Sequence, residues 1–191
     1  MYSANDNPGT STNFSINNLF VGRRGIIPST EMVLALQNDG GDRNVVLEFD
    51  GNNARGADNG WTVIRYGPFD NIQVLRLAEM YLIRAEARAQ QDNISGGNSA
   101  AADINVVRQR AGVPLIEGLS KNQVLLAIEN ERRMELCFEG HRWYDLVRTG
   151  RAQAVMDEFT SNWTSKDELW PIPLREIINN PALQNAQNPG Y

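Results

Sequence analysis

Apolar residues recur at helical spacing along the second half of the chain. Intervals of three and four residues predict a helix over 71–91, with an apolar face of Leu75, Ala78, Leu82, Ala85 and Ala89. A second helix is predicted over 98–111, where Asn98 is a candidate N-cap and Gly112 a helix stop. Because alanines let two helices approach closely, the pair resembles one tetratricopeptide-like helical hairpin.

Two more helices are predicted downstream. The third covers 120–139, because Ser120 and Gln123 match the capping box that begins many helices. The fourth covers 142–149 and resumes through Phe159. The second half of the chain is therefore expected to be largely helical.

The two ends of the chain carry weaker signals. Residues 1–27 are rich in Asn, Ser, Thr and Gly and predict an irregular or extended lead-in. Pro and Ser at the start of 28–36 favour a short helix. Several prolines within 170–191 favour extended chain, apart from one helical turn over 174–178.

Between these parts the pattern predicts a small β-hairpin. Alternating residues indicate strands over 44–50 and 61–66, joined by a polar loop over 52–60. The expected fold is mostly α, with tetratricopeptide-like helical hairpins, this small β-hairpin and long extended loops. After the lead-in, residues 28–191 are expected to form one domain.

Composition and charge exclude several classes of protein. The chain has 191 residues, of which 41% are hydrophobic and 21% charged, so it can bury a core. Eighteen Lys and Arg against 23 Asp and Glu give a net charge of −5, which argues against binding to a nucleic acid duplex. No apolar run is long enough for a transmembrane helix, and the N-terminus does not resemble a signal peptide.

Metal, nucleotide and thiol chemistry find little support in the residues. His141 is the only histidine and Cys137 the only cysteine, so no metal site or cofactor is predicted, and no nucleotide-binding glycine motif is present. Cys137 is interpreted as a small buried hydrophobe. A Cys137–His141 pair is disfavoured because Gly140 is expected to end the helix between them.

A dense charge cluster lies in and after the third helix. We interpret it as a structural ion-pair cluster of Glu131, Arg132, Arg133, Glu135, Arg142 and Asp145. Pairs such as Glu129–Arg133 and Arg132–Glu135 are close enough on one helix to bind each other. The alternative is a retaining glycosidase that uses Glu131 and Glu135, but nearby guanidiniums depress the pKa of carboxylates and make them poor general acids.

Aromatic residues beside amides suggest a sugar-binding surface on the hairpin. Trp61 and Tyr66 flank the polar loop, and the candidate ligand-binding set is Trp61, Tyr66, Asn52, Asn53 and Asp58. Sugar C–H faces stack on aromatic rings while amides and carboxylates bind hydroxyls. The alternative, that both aromatics pack in the core, stays open. Trp143 is expected in the core, and Trp170 is expected to fix the extended C-terminal segment.

Several sequence blocks, in their order along the chain, resemble the SusD/RagB family of outer-membrane nutrient-binding lipoproteins. They are Arg76–Ala87, Asn105–Gly112, Glu131–Arg148, Leu169–Ile177, Asn180–Leu183 and Gln187–Tyr191, with a looser match at Pro28–Val33 and Asp42–Arg43. The resemblance covers 28–191 and corresponds to the C-terminal part of a full-length member. The family's signal peptide and lipid-accepting cysteine are not found, so a truncated chain or a short relative is expected.

The resemblance implies a non-enzymatic role at the cell surface of the outer membrane, where full-length members are lipid-anchored. The implied ligand is an oligosaccharide or other polymeric nutrient, and the implied partner is a SusC-like TonB-dependent transporter. Two alternatives stay open, a peptide-binding branch of the family and a tetratricopeptide-type scaffold without its own ligand site. The chain is also expected to dimerise, to aggregate or to bind the missing N-terminal half in trans, because some apolar residues off the buried stripe are predicted to be exposed: Val74, Met80, Tyr81 and Ile83.

Overall fold

A computed structural model of the chain describes residues 16–22, 24–51, 59–67, 70 and 72–191. The chain divides into two compact units, Met1–Glu139 and Gly140–Tyr191. The described residues are mostly helical and include one two-stranded sheet, which confirms the predicted fold class. Within these residues, every helix is too short or too polar to cross a bilayer.

The first unit contains four α-helices and two strands among its described residues. They are α1 (Thr30–Asp39), β1 (Leu47–Phe49), β2 (Trp61–Val63), α2 (Leu77–Gln90), α3 (Ala100–Arg110) and α4 (Lys121–Glu135). The second unit contains α5 (Arg142–Arg148), α6 (Ala152–Phe159) and α7 (Leu174–Asn179).

The predicted irregular lead-in is wrong for residues 16–22, which are helical and end in a π-helical turn over Asn18–Gly22. The reason is Phe20, which is buried and stacks on Tyr66 with ring centroids 5.8 Å apart. Burial of one aromatic ring outweighs the polar composition around it. Residues 1–15 lie outside the described part of the chain.

The hairpin is shorter than predicted. β1 and β2 are antiparallel, and Leu47 pairs with Val63. Residues 44–46, predicted as strand, belong to a 3-10 helix over Gly41–Val46. This tight turn points Arg43 into the protein interior, where it binds carboxylates of α4. A tertiary ion pair has therefore replaced the local preference of these residues for a strand.

Helix α2 begins six residues later than predicted, at Leu77 instead of 71. Arg76 is extended, with φ −130° and ψ 140°, because its guanidinium reaches the carboxylate of Glu139. Leu75 is consequently outside the helix and 79% exposed. The rest of the predicted apolar face is confirmed as buried: Ala78, Leu82, Ala85 and Ala89.

Helices α3 and α4 differ from the prediction at their ends. Ser99, instead of Asn98, caps α3, because its hydroxyl accepts from the backbone N–H of Ala102 at 3.2 Å. The capping box of α4 is confirmed between Ser120 and Gln123. Helix α4 stops at Glu135, four residues before the predicted end, and the turn that follows places Phe138 at a φ of +64°.

Helices α2 and α3 form an antiparallel hairpin, and α4 packs against both of them. Small residues at the contact let the helices approach closely: Ala85 and Ala89 of α2 face Ala100 of α3. Ile104, Val124 and Ile128 complete this cluster. A second cluster joins α1 to the β-hairpin of β1 and β2 through Leu36 and Val63, both of which are fully buried.

The second unit is held by polar contacts as well as aromatic ones. Trp143 and Trp163 meet edge to face at 5.5 Å. The prediction that Trp170 fixes the C-terminal segment is wrong, since its side chain is 84% exposed. Instead, the side-chain amide of Gln187 bonds both backbone groups of Ile172, and the amide of Asn188 donates to the carbonyl of Trp170.

Candidate functional site

A buried ion-pair network centres on the two glutamates that the sequence singled out. Glu131 is 2% exposed and Glu135 is 4% exposed. Arg43, from the 3-10 helix after α1, binds both carboxylates, and its Nε donates to Glu135 Oε2 at 2.9 Å. The network thus joins α4 to a part of the chain about ninety residues earlier.

Further guanidiniums surround the same carboxylates. Arg108 of α3 donates to Glu131 at 2.8 Å, and Arg110 donates to Glu135 at 2.6 Å. Arg76 lies 3.0 Å from Glu135. The sequence predicted pairing along a single helix, whereas these partners of Glu131 and Glu135 come from other elements. Spacing along one helix carries no information about cations that approach from elsewhere in the fold.

These contacts determine the chemistry available to Glu135. Burial alone would raise the pKa of this carboxyl, but hydrogen bonds from Arg110 and Arg43 and the charge of Arg76 hold it below its ordinary value. An ionised carboxylate that already accepts several guanidinium N–H groups is a poor general acid. The geometry therefore opposes the glycosidase alternative for Glu131 and Glu135.

The other members of the predicted ion-pair cluster lie around this network or in the second unit. Arg132 is buried and approaches Glu79 of α2 at 3.6 Å, while Arg133 is partly exposed. In the second unit, Asp145 is buried and accepts from Arg148 at 2.9 Å, and Arg142 is partly exposed.

The candidate sugar-binding residues are only partly brought together. Asn52, Asn53 and Asp58 lie outside the described residues. Trp61 is half-buried and packs against Phe49, with ring centroids 5.2 Å apart. Its backbone N–H donates to the side-chain oxygen of Asn59 at 3.1 Å. The side-chain nitrogen of Asn59 in turn donates to the carbonyl of Pro28 at 2.9 Å.

Tyr66 is held in one position by several contacts. Its hydroxyl donates to the carbonyl of Phe138 at 2.9 Å, and its own carbonyl accepts from Asn17 at 2.6 Å. Burial raises the pKa of the Tyr66 phenol above its ordinary value, and the charge of Arg65 only partly opposes this. The phenol is therefore neutral at physiological pH.

A hollow of about 640 Å³ opens beside Tyr66. Its apolar lining comes from Val45, Val46 and Ile64. Its polar lining consists of Arg65, Tyr66, Asp70, Gln73 and Glu139. Of these residues only Tyr66 was among the predicted ligand-binding residues, because the others share no motif and Glu139 comes from a distant part of the chain.

Cys137 offers little reactivity, and the described residues offer no metal centre. The thiol is 8% exposed, and burial, more than any nearby charge, raises its pKa to about 11. It therefore stays protonated at neutral pH, as expected of a buried hydrophobe. Across the described ranges, no three side chains of His, Cys, Asp or Glu are grouped closely enough to hold a metal ion.

Comparisons with known proteins give a consistent result. Residues 65–191 match the sequence model of the SusD family. A SusD-like protein of Formosa agariphila is 35% identical over 131 residues, or 63% of this chain and 25% of that protein. The starch-binding protein SusD of Bacteroides thetaiotaomicron is 34% identical over 65% of this chain and 22% of its own length. This chain thus spans about a quarter of the length of these curated relatives.

A solved structure shows the same likeness. The surface glycan-binding protein A of Bacteroides thetaiotaomicron, in complex with laminarihexaose, aligns with a TM-score of 0.53 and 29% identity. The alignment covers 70% of this chain and 32% of that protein. The fold of this chain therefore resembles part of a surface glycan-binding protein.

Proposed function

Because the chain belongs to the SusD family, we propose that it binds oligosaccharides without hydrolysing them. The observation that carries this proposal is the likeness to a glycan-binding protein that holds laminarihexaose. The chain would act at the cell surface of the outer membrane and deliver its ligand to a SusC-like TonB-dependent transporter.

Non-catalytic binding also agrees with the arrangement of the acidic residues. Retaining glycosidases need one carboxyl that can donate a proton to the leaving group. Glu131 and Glu135 are both buried and bound to arginines of other elements, and the pKa of Glu135 is lowered. These glutamates therefore support the fold and are unsuited to acid catalysis.

The proposed contact surface lies on the hairpin side of the first unit. Trp61 and Tyr66 provide aromatic rings there. The proposed hydroxyl-binding residues are Asn52, Asn53 and Asp58, which belong to the polar loop that precedes Trp61 in the sequence. Aromatic rings stack on the C–H faces of sugars, whereas amides and carboxylates bind the hydroxyl groups. Together they supply both kinds of contact that an oligosaccharide needs.

A glycan array followed by calorimetric titration tests the binding proposal. We expect saturable binding of at least one oligosaccharide, with laminarihexaose and maltohexaose as the first probes. Chromatography of the mixture after prolonged incubation should show the oligosaccharide intact. Failure to bind any glycan on the array would contradict the proposal, and release of shorter sugars that is lost in Glu131→Gln would favour the glycosidase.

Transporter delivery needs a separate experiment. The chain should be retained by a SusC-like transporter in detergent, and the retained amount should not fall when oligosaccharide is added. An unrelated TonB-dependent transporter serves as the control. Equal retention by both transporters, or by neither, would contradict the delivery role.

A further inference from the structure

We infer that the hollow beside Tyr66 is a subsite for an uncharged sugar ring, held between aliphatic side chains and a polar rim of Arg65, Asp70 and Gln73. This inference rests on the proposed function, and it assigns the ligand to a site and to a chemical class. The hollow lies entirely within the first unit, since all of its lining residues precede Gly140.

The size and lining of the hollow suit a carbohydrate. Its volume of about 640 Å³ falls within the range of small-molecule sites. Val45 and Ile64 are 69% and 39% exposed, so hydrocarbon is presented to solvent where a sugar ring could cover it. Gln73 is exposed and offers both a carbonyl acceptor and amide donors, which matches the dual character of a hydroxyl group.

The walls of the hollow are preorganised. Tyr66 is held by its hydrogen bond to Phe138, as described above. Asp70 accepts from the backbone N–H of Gly67 at 2.8 Å, which orients its carboxylate. Arg65 and Glu139 form an ion pair at 2.6 Å. A site whose side chains are already ordered spends less conformational entropy on binding.

The charge balance selects against anionic ligands. Arg65 is the only cationic side chain among the described residues that line the hollow, and it shares the carboxylate of Glu139 with Arg76, which lies behind the lining. Asp70 and Glu139 contribute two carboxylates to the lining. Arg65 and Arg76 are thus matched by Glu139 and Asp70, and a sulfate or uronate group would find no surplus positive charge to bind it. A neutral hexose needs no cation, and its hydroxyl groups can donate hydrogen bonds to the carboxylates.

Titration of two variants with laminarihexaose and maltohexaose tests the subsite. Gln73→Ala removes polar contacts and should weaken binding by about three- to tenfold, the effect of one or two lost hydrogen bonds. Ile64→Trp fills the hollow from an exposed position and should weaken binding by about tenfold or more. Val106→Trp is the matched control, because Val106 is 45% exposed on α3 and does not line the hollow. Melting curves of all three variants should match that of the wild type.

The outcomes separate the subsite from the proposed function. If the wild type binds and both Gln73→Ala and Ile64→Trp bind equally well, the chain binds sugars elsewhere and the subsite is wrong. If the wild type binds no oligosaccharide, the proposed function and the subsite both fail. The charge argument is overturned if a sulfated oligosaccharide of equal length binds more tightly than laminarihexaose at physiological salt.

Discussion

At the scale of single residues, Glu135 shows how a buried charge is stabilised in this chain. Its carboxylate is 4% exposed, yet it is in contact with Arg43, Arg76 and Arg110. Each guanidinium comes from a different element, so the glutamate connects three segments of the first unit. Removing the negative charge would leave Arg43 with only Glu131 and Arg76 with only Glu139, so the buried cations would share fewer carboxylates, which costs more than the loss of one hydrogen bond.

We therefore predict that Glu131→Gln and Glu135→Gln each lower the free energy of unfolding by about 1–3 kcal/mol. The substitution keeps the shape of the side chain and removes the charge that the arginines bind. Thermal or denaturant unfolding checks this. Glu117→Gln, at an exposed loop position, is the control and should melt like the wild type. Wild-type melting of both network variants would contradict the role of the network.

The lowered pKa of Glu135 also predicts a dependence of stability on pH. Its ordinary pKa is 4.5 and the folded value lies lower, so the unfolded chain binds this proton first as the pH falls. The contribution of Glu135 is complete above about pH 4.5 and is lost as the pH falls through its folded pKa. The stability difference between wild type and Glu135→Gln should accordingly shrink as the pH falls from about 4.5 through the folded pKa of Glu135. A constant difference over that interval would refute the argument.

A residue-scale prediction concerns the aromatic rings of the proposed glycan surface. Replacing Trp61 and Tyr66 together by Ala should weaken oligosaccharide binding, since each stacking ring contributes about 1 kcal/mol. Trp143→Ala, which removes an edge-to-face contact with Trp163 in the second unit, should leave affinity unchanged. Calorimetric titration of samples that remain folded by circular dichroism measures both effects. Unchanged affinity in the double variant would exclude these rings as contacts.

At the scale of elements, features set by local spacing were predictable, whereas helix ends that depend on tertiary contacts were not. The apolar stripe of α2 follows from local spacing alone, and so does the capping box of α4. Leu77 begins α2 because Arg76 leaves the helix to reach Glu139, and Gly41–Val46 is helical because Arg43 turns inward. At both of these places a tertiary ion pair outweighs the local conformational preference of the residues.

The hollow beside Tyr66 was unpredictable for a related reason. Its lining combines residues of 45–73 with Glu139, which is more than sixty residues further along the chain. No periodic pattern joins such positions. The aromatic pair beside the loop was visible in the sequence, but the structure shows that Tyr66 lines the hollow whereas Trp61 packs against Phe49.

Gly41 provides a test of how the elements are joined. Its φ is +58°, and a Cβ at this position would lie 2.0 Å from the carbonyl oxygen of Ala111 at the end of α3. We predict that Gly41→Ala lowers the free energy of unfolding by about 2 kcal/mol or more, because both the backbone and the helix end must shift. Gly97→Ala is the matched control, since a Cβ there meets nothing within 4 Å. Equal melting temperatures would show that the contact can relax freely.

At the scale of the whole molecule, the exposed side of α2 presents several apolar side chains to solvent. Leu77, Met80 and Ile83 are 73%, 44% and 48% exposed and lie opposite the buried stripe of the same helix. Val74 and Leu75, in the segment before it, are more exposed still. Monomeric proteins rarely leave so many neighbouring apolar side chains in water.

We predict that two copies of the chain associate through this surface. Sedimentation velocity should show a weight-average mass that rises with concentration. A Met80→Glu and Ile83→Glu double variant should remain monomeric, whereas Leu126→Glu, at a residue 48% exposed on α4, should behave like the wild type. A wild type that sediments as a monomer throughout the concentration range would refute the prediction.

The partners of Arg43 have a consequence for the order in which the chain folds. Arg43 lies 88 residues before Glu131 and 92 before Glu135, so their contacts close very long loops. The hairpin of α2 and α3 needs only neighbouring segments and can form first. During synthesis, α1 and the strands leave the ribosome well before α4 exists. Arg43 must therefore wait for its carboxylates, and the cluster of Met32 and Val33 for Cys137, until the end of the first unit has been made.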